Sequence, residues 1–478
     1  MKRAVSVLLS AALMLSVLTG CGKSGSVSKK NIPAEETAES KKITLSDSGI
    51  TVDGAAISDD ETAAVYAAQD IVYYEEGQGV AYGAGTDADA HSQEEADAHT
   101  VVHITQPGTY TLSGTLSAGQ IAVDLGDGAE EDPEAVVTIV LDGVDITCTV
   151  ASAIIFYRVY ECGSADMETA TQTVDTSAAG ANVVIADGTE NRVTGSHVAK
   201  IYKPESVTLN ADGTAVEEAK KLHKYDGALY SKMSMNVSGG EAGTGTLEIV
   251  ADNEGLDSEL HLTINSGNIH ILAGNDGINT NEDGVSVTTI NGGTLRIEVT
   301  GETGEGDGID SNGWLVINGG MVIAAACSDS ADSGLDSDNG IYINGGIVIA
   351  SGNMYDAVDG GDQTYAVFQF AQKQSGGQTY TLKNAAGETI LEMTPENAFQ
   401  YLVVSAPGLA EGEYTLWCGD TQLGASTGSV GGPSGGMGRP DGQPPEGAPG
   451  QKPEGADDGQ QPPEPPADGQ RPEGGPNG

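Results

Sequence analysis

A phrase that this sequence repeats five times carries carboxylate or amide oxygens at three of its six positions. It reads EGLDSE, DGINTN, DGIDSN, SGLDSD and DAVDGG. The oxygen-bearing side chains are Glu254, Asp276, Asp307 and Asp356 at the first position, Asp257, Asn279, Asp310, Asp336 and Asp359 at the fourth, and Glu259, Asn281, Asn312 and Asp338 at the sixth. Carboxylate and amide oxygens are the ligands of Ca²⁺, which takes six to eight of them at about 2.4 Å. The phrase therefore predicts a calcium site.

Stacking these phrases brings like charges together. At the usual strand spacing of about 4.8 Å, two carboxylates repel by about 3 kcal/mol at an effective dielectric of 20. The repulsion can be relieved by interspersed Asn, by raised pKa values or by a bound cation. The alternative to a calcium site is turn chemistry, since Asp and Asn are favoured in turns without any ion.

The other positions of the phrase indicate the element that carries the carboxylates. The third position is always apolar and the fifth is always small, as in Leu256 and Ser258. Because neighbouring side chains of a strand point to opposite faces, we expect the apolar and small positions to face inward and the Asp/Asn column to face solvent. Glycine at the second position is expected at a corner that requires positive φ.

A second phrase, Ile-Asn-Gly-Gly or Ile-Asn-Ser-Gly, interleaves with the first. Its asparagines recur at a nearly constant interval, at Asn265, Asn291, Asn318 and Asn344. An interval of this size indicates a solenoid, and the strand pattern favours a parallel β-helix over residues 43–364. We assign the asparagine column to a structural ladder between coils.

The composition and net charge restrict the kinds of molecule that the protein is expected to bind. The 478-residue chain has 68 glycines and a formal net charge of −49. This charge argues against nucleic acid, which is bound through Lys and Arg, and against electrostatic attachment to a membrane. It favours cations, or ligands bridged by cations.

The first 21 residues read as an export signal. Lys2 and Arg3 precede a short apolar run that ends in Leu-Thr-Gly-Cys at Cys21, which resembles a bacterial lipobox. This predicts a lipid on Cys21, a tether over 22–42, and a protein held at the outer face of the cytoplasmic membrane, or cell surface, through that lipid alone.

Three stretches interrupt the strand pattern and are expected to be surface insertions: 87–99, 157–180 and 203–225. His91 and His99 could bind a metal, although a solvated acidic loop is the favoured interpretation. Cys148 and Cys162 are close enough in sequence to leave a disulfide open.

The C-terminal region divides in two. Residues 365–423 alternate as strands do and are expected to cap the solenoid or to cover the outer face of its last strands, where apolar residues replace Arg and His. Residues 424–478 contain twelve of the 18 prolines and are expected to be a disordered Gly/Pro/acidic tail.

One coil before the array, residues 226–232 align with 253–259, which places Tyr230 beside Asp257 and Lys232 beside Glu259. Lys232 could be a salt-bridge partner that closes the acidic column, or the base of a polysaccharide lyase. Lyase chemistry needs a base near the calcium, and between residues 226 and 430 the basic residues are Lys232, Arg296, Lys373 and Lys383. We therefore expect no catalysis.

The order of these motifs along residues 43–423 resembles that of the clostridial-type surface carbohydrate-binding proteins. The similar segments include YTLSG from Tyr110, YSK from Tyr230, the Asp-Gly-Ile and Ile-Asn-Gly-Gly phrases, and GEYTL from Gly412. The resemblance implies a right-handed parallel β-helix related to pectate lyases, calcium, and the binding of cellulose or acidic plant polysaccharides.

Together these features predict an all-β, calcium-loaded surface lipoprotein that binds polysaccharide without catalysis. The acidic column favours pectate-like glycans over cellulose. Tyr230, Lys232, Trp314 and Tyr342 are the candidate sugar-binding residues. A calcium-dependent lyase with Lys232 as base is the alternative.

Overall fold

Nearly all regular structure in the described residues, 40–85 and 91–430 of this computed structural model, is β-strand. Three ladders of parallel strands, which we name A, B and C, make up most of it. The A ladder consists of β6 (Gly108–Leu116), β8 (Val137–Thr147), β10 (Ala181–Ile185), β15 (Met235–Gly239), β18 (Leu262–Ile264), β21 (Val287–Ile290), β23 (Trp314–Ile317), β25 (Gly340–Ile343) and β27 (Val358–Gly360).

The strands within the B ladder and within the C ladder are also parallel to one another. The B ladder runs from the second half of β8 through β11 (Glu190–Gly195), β16 (Thr246–Ala251), β19 (Asn268–Ala273), β22 (Thr294–Val299), β24 (Met321–Ala325) and β26 (Ile347–Gly352). The C ladder consists of β5 (Thr100–Ile104), β7 (Gly119–Asp124), β9 (Ile154–Arg158), β14 (Gly227–Ser231), β17 (Glu254–Ser258) and β20 (Ile278–Thr280).

The remaining elements lie at the two ends and in the insertions. They are β1 (Lys41–Leu45), β2 (Thr51–Val52), β3 (Ala55–Ala56), β4 (Val65–Ala68), β12 (Thr208–Leu209), β13 (Val216–Glu218), β28 (Tyr365–Gln374), β29 (Tyr380–Asn384), β30 (Thr389–Met393), β31 (Phe399–Ser405), β32 (Gly412–Cys418), β33 (Thr421–Gly428), the helix α1 (Gln93–Asp97), and 3₁₀ turns at Ala129–Glu131 and Pro204–Ser206. The prediction of an all-β chain dominated by parallel strands is confirmed. Within the described ranges, no helix has the length and apolar character that a membrane span requires.

From β14 onward the chain visits the C, A and B ladders in a fixed order. β14, β15 and β16 are followed by β17, β18 and β19, and then by β20, β21 and β22, each strand pairing with the one three places earlier. The spacing between successive asparagines of the second phrase therefore equals the length of one passage through the C, A and B ladders, which we call a circuit.

The core consists of aliphatic side chains stacked in register. Val237, Ile264, Ile290, Ile317 and Ile343 are direct partners along the A ladder, and each is at most 1% exposed. In the C ladder the third and fifth positions of the acidic phrase, such as Leu256 and Ser258, are also buried. The predicted inward face is therefore confirmed.

The asparagine column is a hydrogen-bonded ladder, as expected. Asn291 Nδ2 donates to Asn265 Oδ1 at 3.0 Å, Asn318 to Asn291 at 2.9 Å, and Asn344 to Asn318 at 2.8 Å. Each amide uses its donor on one coil and its acceptor on the next, so the column ties coils together at one corner.

The glycines of the acidic phrase have a different role from the one predicted. Positive φ occurs in the asparagine phrase, for example at Gly293 with φ +89°, and not at Gly255. A Cβ at Gly255 would lie 2.3 Å from Ile271 Cγ2 and 2.6 Å from the carbonyl of Gly277. The corner therefore needs glycine for space rather than for conformation.

The C-terminal segment lies on the outer face of the last B strands. β31 pairs antiparallel with both β26 and β28, and a second core around Phe368 and Phe399 packs against Ile323, Ile347 and Ile349. Strand β33 extends to Gly428, so the expected tail boundary at 424 is too early. Small residues there still pair with β32.

The stretch that contains His91 and His99 is not the solvated loop that we expected, and the 157–180 insertion is also buried in part. His91 and His99 are each 3% exposed, and His99 Nδ1 contacts the carbonyl of Glu95 at 2.6 Å. Thr176, from the 157–180 insertion, donates to Thr263 Oγ1 at 2.7 Å on the outer face of the A ladder. Parts of these segments therefore cover the ladders, and His99 and Thr176 have hydrogen-bond partners there.

The cysteines in the described residues are all free thiols, so the Cys148–Cys162 disulfide does not form. Burial raises the pKa of Cys148 to about 12 and that of Cys162 to about 11. Cys21, the predicted lipidation site, lies outside the described residues.

Candidate functional site

Four of the five Asp/Asn positions fall in one register on the C ladder. Asp257 pairs with Tyr230 on one side and with Asn279 on the other. The column continues through backbone hydrogen bonds, because Thr280 N–H donates to Asp310 O at 3.3 Å and Ser311 N–H donates to Asp336 O at 3.2 Å. The structure thus brings together the side chains that the repeated phrase singled out.

Asp359 does not join this column, and the alignment of the fifth phrase was wrong. Val358 pairs with Ile341 at the end of the A ladder, and Asp359 Oδ2 accepts the Ile341 N–H at 3.1 Å. The edge of β25 is available at this point, so the chain adds β27 there instead of extending the C ladder. Asp356 stays near the column, where its Oδ2 accepts the Ser337 N–H at 3.3 Å.

The prediction that the column faces solvent is wrong at its first two positions. Asp257 is 0% exposed and Asn279 is 8% exposed, although both point outward from the ladder. The insertion 203–225 supplies the cover, since Lys221 Nζ lies 2.7 Å from Asp226 Oδ2 and the ring of Tyr225 lies 5.1 Å from that of Tyr230. Farther along, Asp310 and Asp336 are half-buried and Asp338 is exposed.

The covered end contains buried oxygens that accept no hydrogen bond from a donor among the described residues, although the Glu254 and Asp257 carboxyls can share a proton with each other. These oxygens are Asp226 Oδ1, Glu254 Oε2, Asp257 Oδ2 and Asn279 Oδ1. An oxygen that is removed from water without a hydrogen bond costs free energy, so this group favours either a proton or a cation. Three carboxylates, one amide and Lys221 form what we call the acidic cluster.

Burial and mutual repulsion raise the pKa values of the cluster and of the neighbouring carboxyls. Burial, followed by the charge of Asp226, raises the pKa of Glu254 to about 7. Burial, followed by the charge of Glu254, raises the pKa of Asp257 well above its usual range and that of Asp276 to about 8. Of the three ways to relieve a stacked acidic column, the structure shows interspersed asparagine and raised pKa values.

The first-position carboxylates bind backbone as well. Asp276 Oδ1 accepts the Asp307 N–H at 2.6 Å, and Asp307 Oδ1 accepts the Ser333 N–H at 2.6 Å. Each carboxylate therefore holds the start of the next coil. This structural role is independent of any metal.

Amides connect the covered and open parts of the column. Asn279 Nδ2 donates to Glu254 Oε1 at 3.0 Å, and Asn281 Nδ2 donates to Asp257 Oδ1 at 2.7 Å. Asn312 Nδ2 donates to the carbonyl of Asn281 at 2.9 Å. Each of the two amide donors fixes one oxygen of a carboxylate, and the second oxygen of that carboxylate takes no part in this bond.

The donor set has the chemistry that Ca²⁺ prefers, but it is not a closed cage. Among residues 40–85 and 91–430, no three His, Cys, Asp or Glu side chains already stand together as metal ligands. Carboxylate and amide oxygens would have to move together, with water completing the coordination. The ammonium of Lys221 balances one of the charges in the same place.

Two predicted sugar-binding residues are engaged in other contacts. Tyr230 is 1% exposed and its hydroxyl donates to Glu259 Oε1 at 2.8 Å, so its ring cannot stack on a sugar. Lys232 lies beside Glu259 in register, as aligned, because the preceding Ser231 pairs with Ser258, but its ammonium lies 3.2 Å from Glu130 Oε1. Its side chain is 47% exposed.

Trp314 and Tyr342 lie on the outward face of neighbouring A strands. Trp314 pairs with Gly340 and Val316 pairs with Tyr342, which makes the two aromatic residues diagonal neighbours. Both are half-buried. Their strands follow β15 and β18 in the A ladder, the strands to which Thr176 of the 157–180 insertion hydrogen-bonds. The turn at Asn312 joins this aromatic surface to the open end of the acidic column.

The sequence analysis missed Lys221 and Asp226. Lys221 lies in a stretch interpreted as a surface loop, so its position gave no indication of burial. Asp226 precedes Gly227, the partner of Glu254. It lay within the aligned stretch 226–232, opposite Asn253, and its carboxylate could have been added to the acidic column from that alignment.

Each basic residue between 226 and 430 has a partner. Lys232 pairs with Glu130, Arg296 with Glu396, and Lys373 with the carbonyl of Ser328. Lys383 Nζ lies 4.4 Å from the ring centre of Trp417. None of these contacts involves the acidic cluster, where Lys221 is the cation.

Two known proteins resemble parts of this chain. The polysaccharide lyase-like protein from C. thermocellum aligns over 68% of this chain and 90% of its own, with 20% identity and a TM-score of 0.35. A carbohydrate-binding domain-containing protein from Acetivibrio thermocellus is 31% identical over 173 residues, which are 36% of this chain and 45% of that protein. The matched stretch thus covers less than half of that relative's length.

The family comparison covers more of the chain. The model of the carbohydrate-binding domain-containing proteins matches residues 98–378, which include the C ladder, the acidic cluster and the aromatic surface. The chain therefore belongs to the family of carbohydrate-binding domain-containing proteins.

Proposed function

We propose that this protein is a calcium-loaded surface lipoprotein that binds acidic polysaccharide without cleaving it. The observation that carries the proposal is the acidic column, which has buried oxygens without a hydrogen-bond donor at one end and half-exposed carboxylates at the other. The family supplies carbohydrate binding. Calcium, the acidic nature of the glycan and the surface location are our inference.

The ladders support a closed right-handed parallel β-helix as the scaffold. The chain passes through C, A and B in the same order on successive circuits, which is the connectivity that a parallel β-helix needs. On such a scaffold the column repeats once per coil. Several weak contacts to one polymer then add through multivalency.

Calcium explains how an acidic protein could bind an acidic glycan. The formal charge of −49 repels a polyuronate. An ion that Asp310, Asn312, Asp336 and Asp338 coordinate only in part keeps water-filled positions, which a sugar carboxylate can take. Trp314 and Tyr342 lie around the adjoining corner and can pack against the sugar rings.

The non-catalytic assignment is supported by the environment of Lys232. A lyase needs a base that is free to take a proton beside the metal. Lys232 instead pairs with Glu130, and its side chain is not among the contacts of the acidic cluster. The lyase remains the second candidate because Lys232 is still half-exposed.

The deciding experiment is retention on insoluble polygalacturonate and on cellulose, each with calcium and with chelator. We expect retention on polygalacturonate with calcium, and loss of that retention in chelator and in the Asp310→Asn/Asp336→Asn double variant. Glu302→Gln, an exposed carboxylate outside the column, is the matched control. Equal retention on cellulose in chelator would show that the column is not the glycan site.

A further inference from the structure

The outward column of the C ladder continues upstream of the acidic cluster and ends in a cavity. In register, Tyr230 is preceded by Ile155, Ala122 and His103. Ala122 is the smallest of these side chains, and the cavity opens beside it. Residues 70–72 and Tyr225 close the sides.

The cavity has a volume of about 200 Å³. Pockets for drug-sized ligands measure roughly 300–1,000 Å³, so this space suits one six-membered ring rather than an oligosaccharide. Asp70 lies at its mouth with a side chain that is 52% exposed, whereas the side chain of His103 is 14% exposed. A ligand would therefore enter past Asp70.

Hydrogen-bonding groups converge on the cavity from several elements. His103 Nε2 donates to Asp70 Oδ1 at 3.0 Å, and the ring of Tyr66 stacks on His103 at 4.5 Å and holds it. Gln120 Nε2 donates to the carbonyl of Ser152 at 2.7 Å, which fixes the amide. The Asp70 carboxylate keeps a second oxygen for a ligand.

A buried hydroxyl gives independent support. Ser152 is 0% exposed, lines the cavity, and its Oγ has no hydrogen-bond partner among the described residues. A buried polar group without a partner costs free energy, which a ligand hydroxyl would recover. Tyr157 and Tyr225 add aromatic surface, with ring centroids 5.1 Å apart in an edge-on arrangement.

We propose that this cavity is a second carbohydrate site that takes a single neutral sugar residue at a chain end. Neither Lys nor Arg is among the residues that line it, so it lacks a partner for a uronate carboxylate. A carboxylate, an amide, an imidazole and a hydroxyl beside tyrosine rings match the hydroxyls and apolar faces of a neutral hexose or pentose. The inference rests on the proposed carbohydrate binding, but it needs no calcium.

The test uses the full-length protein in chelator, with glucose, galactose, mannose, xylose and galacturonate as separate probes in saturation-transfer NMR and calorimetry. We expect at least one neutral sugar to bind and galacturonate not to bind. Asp70→Asn should weaken that binding at least tenfold and Ser152→Ala should weaken it measurably. Asp59→Asn, an exposed carboxylate outside the cavity, is the control.

The outcomes separate this site from the acidic column. Neutral-sugar binding that survives in Asp310→Asn/Asp336→Asn and is lost in Asp70→Asn supports the second site, even if retention on polygalacturonate fails. Binding that requires calcium and is lost in the double variant overturns it. If no monosaccharide binds while polygalacturonate is retained with calcium, the second site is refuted and the proposed function stands.

Discussion

The acidic cluster predicts an unusual dependence of stability on pH. Burial raises the pKa of Glu254 from 4.5 to about 7, so the folded protein keeps this proton at pH values where the unfolded chain has lost it. Stability falls with pH wherever the folded state binds more protons than the unfolded state. In chelator, the free energy of unfolding should therefore fall from pH 5 to pH 8.

The size of the effect follows from the shift. One pKa unit corresponds to about 1.4 kcal/mol, so between pH 5 and pH 8 the shift at Glu254 alone removes a few kcal/mol. The raised pKa values of Asp257 and Asp276 act in the same direction. Calcium should reduce the loss, because a divalent cation stabilises the ionised carboxylates that the folded state otherwise disfavours.

The assay is urea unfolding at pH 5, 6, 7 and 8, with chelator and with calcium. Glu254→Gln keeps an oxygen that can accept from Asn279 Nδ2 and removes the titrating group. Over this range its unfolding free energy should fall by a few kcal/mol less than that of the wild type. Glu282→Gln, an exposed neighbour, should follow the wild type. Equal pH slopes for Glu254→Gln and wild type in chelator would refute the reasoning.

Three further predictions concern the anchor, the metal and the chemistry. Cys21→Ala should move the protein from the membrane fraction into the medium, and unchanged fractionation would contradict the lipid anchor. Calcium at about 100 times its dissociation constant should stabilise the fold by about 2.7 kcal/mol. Scanning calorimetry should show most of that gain lost in Asp310→Asn/Asp336→Asn. If chelator has no effect on the melting of the wild type, the acidic column is explained by turn chemistry alone. With excess calcium and polygalacturonate, ultraviolet absorbance should show no unsaturated product; product that disappears in Lys232→Ala would establish the lyase.

The repeated phrases were sufficient to predict the parallel ladders, most of their register and their inward faces, although the phrases at 307–312 and 333–338 continue the column without forming strands. An apolar residue precedes the Asp or Asn of each phrase, as Leu256 precedes Asp257 and Ile264 precedes Asn265. A period-two pattern of this kind decides which side of a strand is buried. The asparagine ladder followed from the same repeat. These features depend on local pattern, which a single sequence contains.

The sequence could not show what covers the ladders. Asp257 points outward as predicted, but the insertion that brings Lys221 over it has no repeat of its own. Tyr230 was misjudged for the same reason. Asp359 shows a further limit, because its phrase fits the repeat while the free edge of β25 offered a different partner.

The C ladder begins, and the B ladder ends, with a strand that runs against the rest. Among the described residues, β4 pairs antiparallel with β5 where the C ladder begins, and β31 pairs antiparallel with β26 where the B ladder ends. A reversed strand cannot be followed by another parallel circuit, and a paired edge does not recruit a second chain.

Between these ends the chain can change length by whole circuits. Gain or loss of one complete unit, such as the stretch from Asn265 to Asn291 or from Asn291 to Asn318, preserves every register. It would also change the acidic column by one position. The number of carboxylates offered to a polymer can therefore evolve by duplication of a single unit, with the two ends unchanged.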